Sequence, residues 1–352
     1  MQTIQSTSYP VHFADNAYKE LNAHLIQYQY SRIFLFVDSN TNEHCAPLFL
    51  GLLETHIPIE IIEIVPGESE KNIETVVAVW QSLTELGADR KSLMINLGGG
   101  VLTDMGGFIG STFKRGIDFI NIPTTLLSMV DASVGGKTGI DLGVLKNQIG
   151  LFSNPQMVLI DPSFLGTLSE REMTSGLAEI IKYGLTFDKN LWNSFKNPEG
   201  INVNDLIHQS IAIKNYVVLE DPKEANLRKV LNYGHTLGHA IESYYLESKH
   251  LDRLTHGEAI AIGMICEAYL SKEICGLNQN TLDEIKKVIL NVFGQIQLSR
   301  SDYDGIFEYL KHDKKNVGGE VNFVLLQAIC EFKLDQKASV QQMIEALDFY
   351  NL

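Results

Sequence analysis

Cysteine is scarce in this chain of 352 residues. It has only four, Cys45, Cys266, Cys275 and Cys330, and none of them forms a Cys-x-x-Cys pair. Paired spacing is what a thiolate metal site or a dithiol redox motif would show, so the sequence offers neither. The cysteines are interpreted as small buried hydrophobic residues in a reducing compartment.

Positive charge is also in short supply. Against 28 Lys and Arg stand 43 Asp and Glu, for a formal net charge of −15. A nucleic-acid-binding protein needs a basic face to neutralise phosphates, so this class of protein is excluded. An anionic small-molecule substrate would have to be held by a local basic cluster that works against the field of the whole chain.

Two targeting features are missing as well. No uninterrupted apolar run approaches the roughly 20 residues of a membrane span. Residues 1–6 lack the charged and apolar regions of a signal peptide. With 45% hydrophobic and 20% charged residues, the composition is that of an ordinary globular protein. We therefore expect a cytoplasmic protein with no membrane partner.

The first part of the chain alternates short apolar runs with helix-like segments. Strand-like runs occur at 33–37, 59–65 and 92–97, and helical spacing occurs at 47–54 and 71–86. Short buried strands separated by helices are typical of a parallel sheet with helices on its faces. The sequence thus predicts a Rossmann-like α/β domain over residues 1–160.

From about residue 170 the hydrophobic period changes to that of helices. Helical stretches are predicted at 170–186, 203–220, 224–246, 256–275 and 281–293, and only 321–326 looks like a strand. The pattern predicts a mainly helical second domain over residues 161–352.

Histidines lie within the otherwise apolar helical stretches of this second part. His235 and His239 are four residues apart and would share one helix face, and His256 follows in the next stretch. Imidazole is a common metal ligand and a proton shuttle near neutral pH. The glutamate of the metalloprotease helix motif is absent, because Thr236 stands in its place. A metal site and a group of hydrogen-bonded core histidines both remain open.

A glycine loop in the first part suggests a nucleotide. Gly98, Gly99 and Gly100 follow a strand-like run and precede a helix, where a backbone can approach a phosphate closely. The strict dinucleotide fingerprint would need glycine at Thr103, so a tight structural turn is the alternative. Asp38 ends another strand and could accept ribose hydroxyls. Together the two features favour a nucleotide site.

Three cations lie among glycine and apolar residues instead of in charge runs. Arg115, Lys137 and Lys146 are therefore best explained by an anionic small molecule, although a solvated charged face is the competing interpretation. The surroundings of Lys137 do not match the phosphate-loop motif of nucleotide triphosphatases.

Several longer motifs occur in a fixed order along the chain, from about residue 38 to residue 326. In that order they resemble the 3-dehydroquinate synthase family of sugar-phosphate cyclases. The segments that carry the resemblance are 98–100 with Asp104, 123–125, 130–139, Lys146 with Asn147, 178–184, 232–240, 256–259 and 312–315. The chain departs from the family pattern at Thr103 and in a longer connection over residues 242–255.

The resemblance implies a set of site residues. It implies Zn²⁺ or Co²⁺ held by Glu179, His235 and His256, with an open coordination position. It implies NAD bound by Asp38, Asn40, Glu68, Lys71, Gly99, Gly100, Val101, Asp104, Thr124, Thr125, Lys146, Phe164 and Thr167. The catalytic residues that it implies are Asp131, Lys137, Lys182, Arg228, Asn232 and His239, and the further substrate-binding residues are Arg115, Asn147, Lys214 and Lys314, the last preferred over Lys315.

The implied reaction belongs to the shikimate pathway of aromatic amino-acid biosynthesis. A carbon–oxygen lyase converts 3-deoxy-D-arabino-heptulosonate 7-phosphate to 3-dehydroquinate and phosphate through transient oxidation by NAD, phosphate elimination, re-reduction and aldol closure. A homodimer is implied too, with Arg115 able to reach across it. The alternatives are a sister cyclase of the 2-deoxy-scyllo-inosose or valiolone type, a metal-dependent NAD polyol dehydrogenase, and a non-catalytic nucleotide-binding module.

Overall fold

The computed structural model describes residues 1–143, 145–197, 200, 202–248, 250–310 and 321–352. The chain divides into two compact units. The first comprises Met1–Gly143, Asn147–Met173 and Ile207–Leu219, and the second comprises mainly Thr174–Leu206 and Glu220–Leu352, together with Lys146. The units are discontinuous in sequence, and the single domain boundary between residues 160 and 161 stays a prediction.

The first unit contains the large sheet. In chain order its strands are β1 (Ile4–Gln5), β2 (Pro10–Phe13), β3 (Arg32–Asp38), β4 (Ile59–Ile64), β5 (Ser92–Gly98), β6 (Asp118–Pro123), β7 (Lys137–Leu142), β8 (Leu145–Phe152) and β9 (Val158–Ile160). Within the described residues, seven of them form one sheet in the order β1-β2-β9-β6-β5-β3-β4, while β7 and β8 form a hairpin. The sheet is parallel except for β1, which pairs antiparallel with β2.

Helices lie between the successive strands β2 to β6 of this unit. They are α1 (Ala14–Tyr28), α2 (Ser39–His44), α3 (Ala46–Leu52), α4 (Ile73–Glu85) and α5 (Gly100–Thr112). All seven residues of β5 are buried, as expected of a parallel strand covered on both faces. Asp38, Gly98 and Pro123 end the adjacent strands β3, β5 and β6, so their ends lie side by side. Open α/β sheets bind ligands at this edge.

The second unit is mainly helical. Its elements begin with α6 (Glu170–Thr186), α7 (Lys189–Ser194), α8 (Val203–Glu220), α9 (His235–Glu247) and α10 (His256–Leu270). They continue with α11 (Gln279–Phe293), α12 (Tyr303–Leu310), β10 (Phe323–Ala328), β11 (Glu331–Gln336) and α13 (Val340–Asn351). The first four residues of α6 and the middle of α8 belong to the first unit. No helix in the described part of the chain is both long and apolar enough to cross a membrane.

Helices α9 and α10 meet through their backbones. A Cβ atom added to Gly263 of α10 would lie 2.0 Å from the carbonyl oxygen of Gly234, and one added to Gly238 would lie 3.1 Å from the carbonyl oxygen of Ala259. Only glycine allows such an approach. The two helices that carry the histidines are therefore held at a fixed separation.

The predicted fold class is confirmed, with a parallel sheet flanked by helices followed by a mainly helical part. One helical prediction is wrong: residues 224–246 do not form a continuous helix. A 3-10 turn, Leu227–Asn232, comes first, and α9 begins only after Gly234, whose φ of +80° is the left-handed conformation that glycine adopts easily. The sequence pattern did not predict β1, β2, β6, β7, β8, β9 or β11, and the alternating residues of β11 are half-buried at most.

Candidate metal centre and active site

Three helices of the second unit supply one group each to a compact donor cluster. Glu179 lies within α6 with no exposed surface, and His235 and His256 are the first residues of α9 and α10. Glu179 Oε1 lies 3.2 Å from His235 Nε2 and 3.3 Å from His256 Nε2. The three ligand atoms all lie within 4.8 Å of one another. The three groups that the resemblance implied as metal ligands thus converge.

The donor set fits a divalent cation such as zinc. Zinc binds imidazole nitrogen and carboxylate oxygen at about 2.0–2.2 Å in a tetrahedral arrangement, which places neighbouring donors about 3.3–3.5 Å apart. The two oxygen-to-nitrogen distances of 3.2 and 3.3 Å are close to this spacing. Three protein donors would leave a coordination position for another molecule.

The second ring nitrogen of His235 and of His256 also has a partner. His235 Nδ1 lies 3.0 Å from the carbonyl oxygen of Tyr233, and His256 Nδ1 lies 3.2 Å from Glu242 Oε2. Because a carbonyl oxygen can only accept, Nδ1 of His235 must be the donor. The Nε2 lone pair of His235 therefore points toward the donor cluster.

Lys182 balances the charge of Glu179. Its ammonium group pairs with Glu179 Oε2 one turn along α6, and both side chains are buried. Burial would raise the pKa of Glu179, but Lys182 and His235 hold that pKa well below its usual value. The pKa of His235 is lowered by burial and by Lys182. A carboxylate and a neutral imidazole are the forms that a metal ion requires.

The electrostatics of His256 are different. Burial would lower its pKa, but the carboxylates of Glu242 and Glu179 outweigh burial and raise the pKa to about 10. For Glu242 burial would raise the pKa, yet Lys146 and His256 lower it to about 2. The protein thus surrounds His256 with negative charge.

His239 lies at the edge of the same cluster. Its ring centroid is 5.1 Å from that of His235 and 5.8 Å from that of His256. With Glu242 and His256 it forms a second group whose ligand atoms lie within 4.8 Å of one another. The resemblance places His239 on the substrate side, and this assignment stays a prediction.

A buried carboxylate that the sequence analysis missed caps the helix that bears His235. Glu267 of α10 has no exposed surface. Its Oε2 accepts from the N–H of Gly234 at 2.7 Å, and its Oε1 accepts from those of Thr236 and Leu237 at 3.0 and 3.3 Å. Gly234 has no side chain with which to cap α9, so Glu267 takes that role.

Arg228 and Asn232 precede α9. Arg228 is buried, and its Nη1 donates to the carbonyl oxygen of Pro222 at 2.9 Å. Asn232 Nδ2 donates to Glu224 Oε1 at 2.8 Å, and Glu224 itself has a left-handed φ of +60°. A non-glycine residue is uncommon in that conformation, and the sequence pattern did not reveal it.

The glycine loop of the first unit has the expected local structure. Gly99 is the N-cap residue of α5. Because glycine has no side chain, this position offers no side-chain acceptor to the first N–H groups of the helix. The hydroxyl of Thr103 is 3.3 Å from the carbonyl oxygens of Gly99 and Gly100, so it is accommodated inside the helix. Thr124 donates its N–H to the carbonyl oxygen of Gly98 at 3.0 Å, which links the ends of β5 and β6.

Lys71 joins two of the implied subsites within the first unit. Its Nζ donates to Asp104 Oδ2 and to Asn147 Oδ1, both at 2.7 Å. Burial would lower the pKa of Lys71, but Asp104, Glu68 and Asp141 outweigh burial and raise it. Asn147 has a left-handed φ of +52°, and its N–H donates to Asp141 Oδ1 at 2.7 Å. These contacts fix the side chain that the resemblance assigns to the substrate.

Two further residues that the resemblance implies, Asp131 and Lys214, meet at the middle of α8. Lys214 Nζ lies 2.8 Å from Asp131 Oδ1. Lys137 begins β7 in the same unit. Lys146 pairs with Glu242 at 3.4 Å, within the second unit.

Some of the implied residues have other local roles. The Oδ1 of Asp38 accepts from the N–H of Thr41 at 2.8 Å and caps α2, and Asn40 lies exposed within that helix. The hydroxyl of Thr167 donates to the carbonyl oxygen of Phe164 at 3.3 Å. Val101 and Thr125 are half-buried at the glycine loop, beside Gly100 and Gly99 respectively. Lys314 and Lys315 lie outside the described residues.

Arg115 lies apart from the glycine loop. It follows α5 in the 3-10 turn Phe113–Arg115, where it is exposed, and it lines a surface cavity with Asp89, Arg90 and Lys114. At 1.5 Å per residue, the 13 residues of α5 separate it from Gly100 by about 20 Å. Within its own chain it therefore does not join the glycine loop.

Comparisons with known proteins agree with this picture. Residues 61–175 match the model described as 3-dehydroquinate synthase N-terminal, and residues 176–316 match 3-dehydroquinate synthase C-terminal. The chain is 42% identical over 337 residues to a 3-dehydroquinate synthase of Parabacteroides distasonis, covering 94% of each chain.

Solved structures share the fold. A 2-epi-5-epi-valiolone synthase from Streptomyces hygroscopicus, with NAD⁺ and Zn²⁺ bound, superposes with a TM-score of 0.84 at 24% identity, over 99% of this chain and 98% of that one. A 2-deoxy-scyllo-inosose synthase complexed with carbaglucose-6-phosphate, NAD⁺ and Co²⁺ gives a TM-score of 0.82 at 24% identity, over 98% of this chain and 99% of that one. Because both family models together cover most of the chain and curated relatives match nearly all of it, the chain belongs to the 3-dehydroquinate synthase family.

Proposed function

We propose that the protein is a 3-dehydroquinate synthase that converts 3-deoxy-D-arabino-heptulosonate 7-phosphate to 3-dehydroquinate and phosphate, using NAD and a divalent cation, Zn²⁺ or Co²⁺. The observation that carries the proposal is the convergence of Glu179, His235 and His256 on one point, in a chain of this family. The enzyme would be a carbon–oxygen lyase, since NAD is regenerated within each turnover.

The two cofactors would supply complementary chemistry. A cation held by Glu179, His235 and His256 would act as a Lewis acid toward the substrate. NAD would accept and return a hydride, and the uncapped N-terminus of α5 behind Gly99 is suited to its phosphates.

The side chains of the protein hold these groups in their reactive forms. Lys182 keeps Glu179 ionised, and the Tyr233 carbonyl keeps the Nδ1 proton of His235 away from the donor cluster. Lys71 fixes the amide of Asn147, and Asp131 fixes the ammonium of Lys214. Fixed donors lower the barrier by positioning the substrate, so no single general base is assigned.

Anion binding would fall to lysine and arginine side chains, of which Lys182, Lys214 and Arg228 are held by the contacts described above. The substrate carries a carboxylate and a phosphate, for which Lys137, Lys182, Lys214 and Arg228 are suitable donors. The joint occurrence in this sequence of Arg228, Asn232, His239 and Lys314 favours a carboxylate-bearing substrate over those of the sister cyclases.

A phosphate-release assay with the heptulosonate phosphate tests the proposal. We expect phosphate release that needs only catalytic amounts of NAD, that stops on treatment with a chelator, and that returns with Zn²⁺ or Co²⁺. NADH absorbance should not accumulate. Stoichiometric NADH production would instead identify a polyol dehydrogenase, and turnover of sugar phosphates that lack the carboxylate, in place of the heptulosonate, would identify a sister cyclase.

Two variants that each remove one group of the donor cluster test its role directly. Glu179→Ala and His256→Ala should lose turnover while the protein remains folded. Near-normal turnover in either variant would contradict the assignment of the metal ligands.

We also propose that the protein is cytoplasmic and forms a homodimer. The exposed position of Arg115, about 20 Å along α5 from Gly100, supports a role toward a second copy instead of its own glycine loop. Mixing an Arg115→Ala chain with a Lys182→Ala chain tests this role. Recovery of activity in the mixture would support it, and no recovery in a mixture shown to exchange subunits would contradict it.

A further inference from the structure

We infer that Glu242 is a positioning residue for the metal ligand His256: its carboxylate holds the Nδ1–H of the imidazole so that Nε2 is presented to the cation. The inference rests on the metal site of the proposed function. Glu242 belongs neither to the ligand set nor to any of the subsites that the resemblance implies.

The geometry of Glu242 is that of an outer carboxylate behind a histidine ligand. Its Oε2 lies 3.2 Å from His256 Nδ1, while His256 Nε2 lies 3.3 Å from Glu179 Oε1. The two nitrogens of one imidazole thus face two different carboxylates. Coordination of a cation by Nε2 would displace the proton on that nitrogen, while the proton on Nδ1 would stay as the donor to the ionised Glu242.

Lys146 completes the arrangement on the other side. Its Nζ lies 3.4 Å from Glu242 Oε1, and the Lys146 and Glu242 side chains are only 8% and 12% exposed. A buried carboxylate needs a compensating charge. Lys146 contacts one oxygen of Glu242 and His256 contacts the other. The carboxylate is therefore fixed in position, and it restricts the orientation of the imidazole ring.

The ligands of this cluster are supported unequally. His235 is held by a backbone carbonyl, which no side-chain substitution removes. His256 is held by a side chain that comes from a different helix, α9, whereas His256 itself begins α10. Glu242 therefore also links the first turn of α10 to α9, and His256 is the ligand whose orientation depends on a replaceable group.

Metal affinity is the direct test, because it does not depend on turnover. Zn²⁺ binding would be measured by competition with a chromophoric chelator for the wild type, Glu242→Gln and Glu242→Ala. Losing such an outer partner typically weakens metal affinity by about 10–100-fold. We expect the larger loss in Glu242→Ala and the smaller in Glu242→Gln, because the amide keeps an oxygen that can accept from Nδ1. The visible spectrum of the Co²⁺ form should shift in both variants.

Glu247→Gln is the matched control. Glu247 lies on the same helix, is exposed, and contacts Tyr309 instead of a histidine ligand. It makes the same charge change and should leave the Zn²⁺ affinity and the Co²⁺ spectrum unchanged. The nearly isosteric Glu242→Gln covers the case in which Glu242→Ala does not fold.

The outcomes separate the inference from the proposed function. If folded Glu242→Gln and Glu242→Ala bind Zn²⁺ within about twofold of the wild type, far from the expected loss, the inference is wrong. An equal loss in Glu247→Gln would also overturn it, because the effect would then be one of net charge. If the wild type binds Zn²⁺ through this site but releases no phosphate, the proposed function fails and the role of Glu242 stands.

Discussion

Replacing Glu267 tests how the helix that bears His235 is held. The carboxylate accepts three hydrogen bonds from N–H groups at the start of α9. Its Oε2 accepts from Gly234, and its Oε1 accepts from Thr236 and Leu237. In Glu267→Gln one oxygen remains, and the amide NH₂ faces one or more N–H donors. At least one buried N–H then loses its acceptor, which costs about 1–3 kcal/mol. Glu267→Ala leaves all three without a partner and also removes the favourable charge at the helix N-terminus.

The melting temperature of the metal-free protein is the appropriate measurement, because metal binding would mask part of the loss. At about 2–4 °C per kcal/mol, Glu267→Gln should melt several degrees below the wild type, and Glu267→Ala lower still. Glu273→Gln is the control, since Glu273 is an exposed residue paired with the adjacent Lys272 and should matter little. A Glu267→Gln protein that melts within about 1 °C of the wild type would refute the capping role.

Two further predictions concern packing and pH. Gly263→Ala should destabilise the protein by about 1–3 kcal/mol or more, because the added Cβ would overlap the backbone of Gly234. Gly51→Ala should instead stabilise it slightly, because no atom lies within 4 Å of a Cβ added there. The melting temperature measures both effects. Burial lowers the pKa of His24 below 6.5, with Asp118 opposing, so the unfolded chain binds more protons and stability falls as the pH drops below 6.5. His24→Gln should make that fall shallower, and an unchanged slope would contradict the burial argument.

The site residues that could be predicted from the sequence are those that lie within long motifs. Glu179, His235 and His256 are distant in sequence, yet each lies in a recognisable segment, and the structure brings their ligand atoms together. Strands β3, β4 and β5 were also predictable, because a short and mainly apolar run such as β5 is typical of a parallel strand that is buried on both faces.

The supporting residues could not be predicted because their roles depend on tertiary contacts. Glu242 and Glu267 look alike in sequence, because each is a glutamate within a largely apolar helix, but Glu242 faces His256 and Glu267 faces the N–H groups of α9. Which of these an individual carboxylate meets is decided by how α9 and α10 cross. That crossing depends on Gly263, whose packing role has no local signal.

The break before α9 was missed for a related reason. The apolar spacing over residues 224–246 favours a helix, but periodicity does not register a glycine in the left-handed conformation. The strand β11 was missed because its outward residues Glu331, Lys333 and Asp335 are exposed and its inward ones only half-buried.

The discontinuous make-up of the first unit limits how this protein could be cut or recombined. A fragment that stops at Met173 would contain every strand of the seven-stranded sheet, yet it would lack Ile207–Leu219 and with it Lys214. Exchanging the first unit for that of a relative would therefore require chain junctions on both sides of the middle of α8, as well as one near residue 173. A chimera with a single junction would pair Asp131 of one parent with the α8 of the other, so the ion pair between Asp131 and Lys214 would form only if the two parents match there.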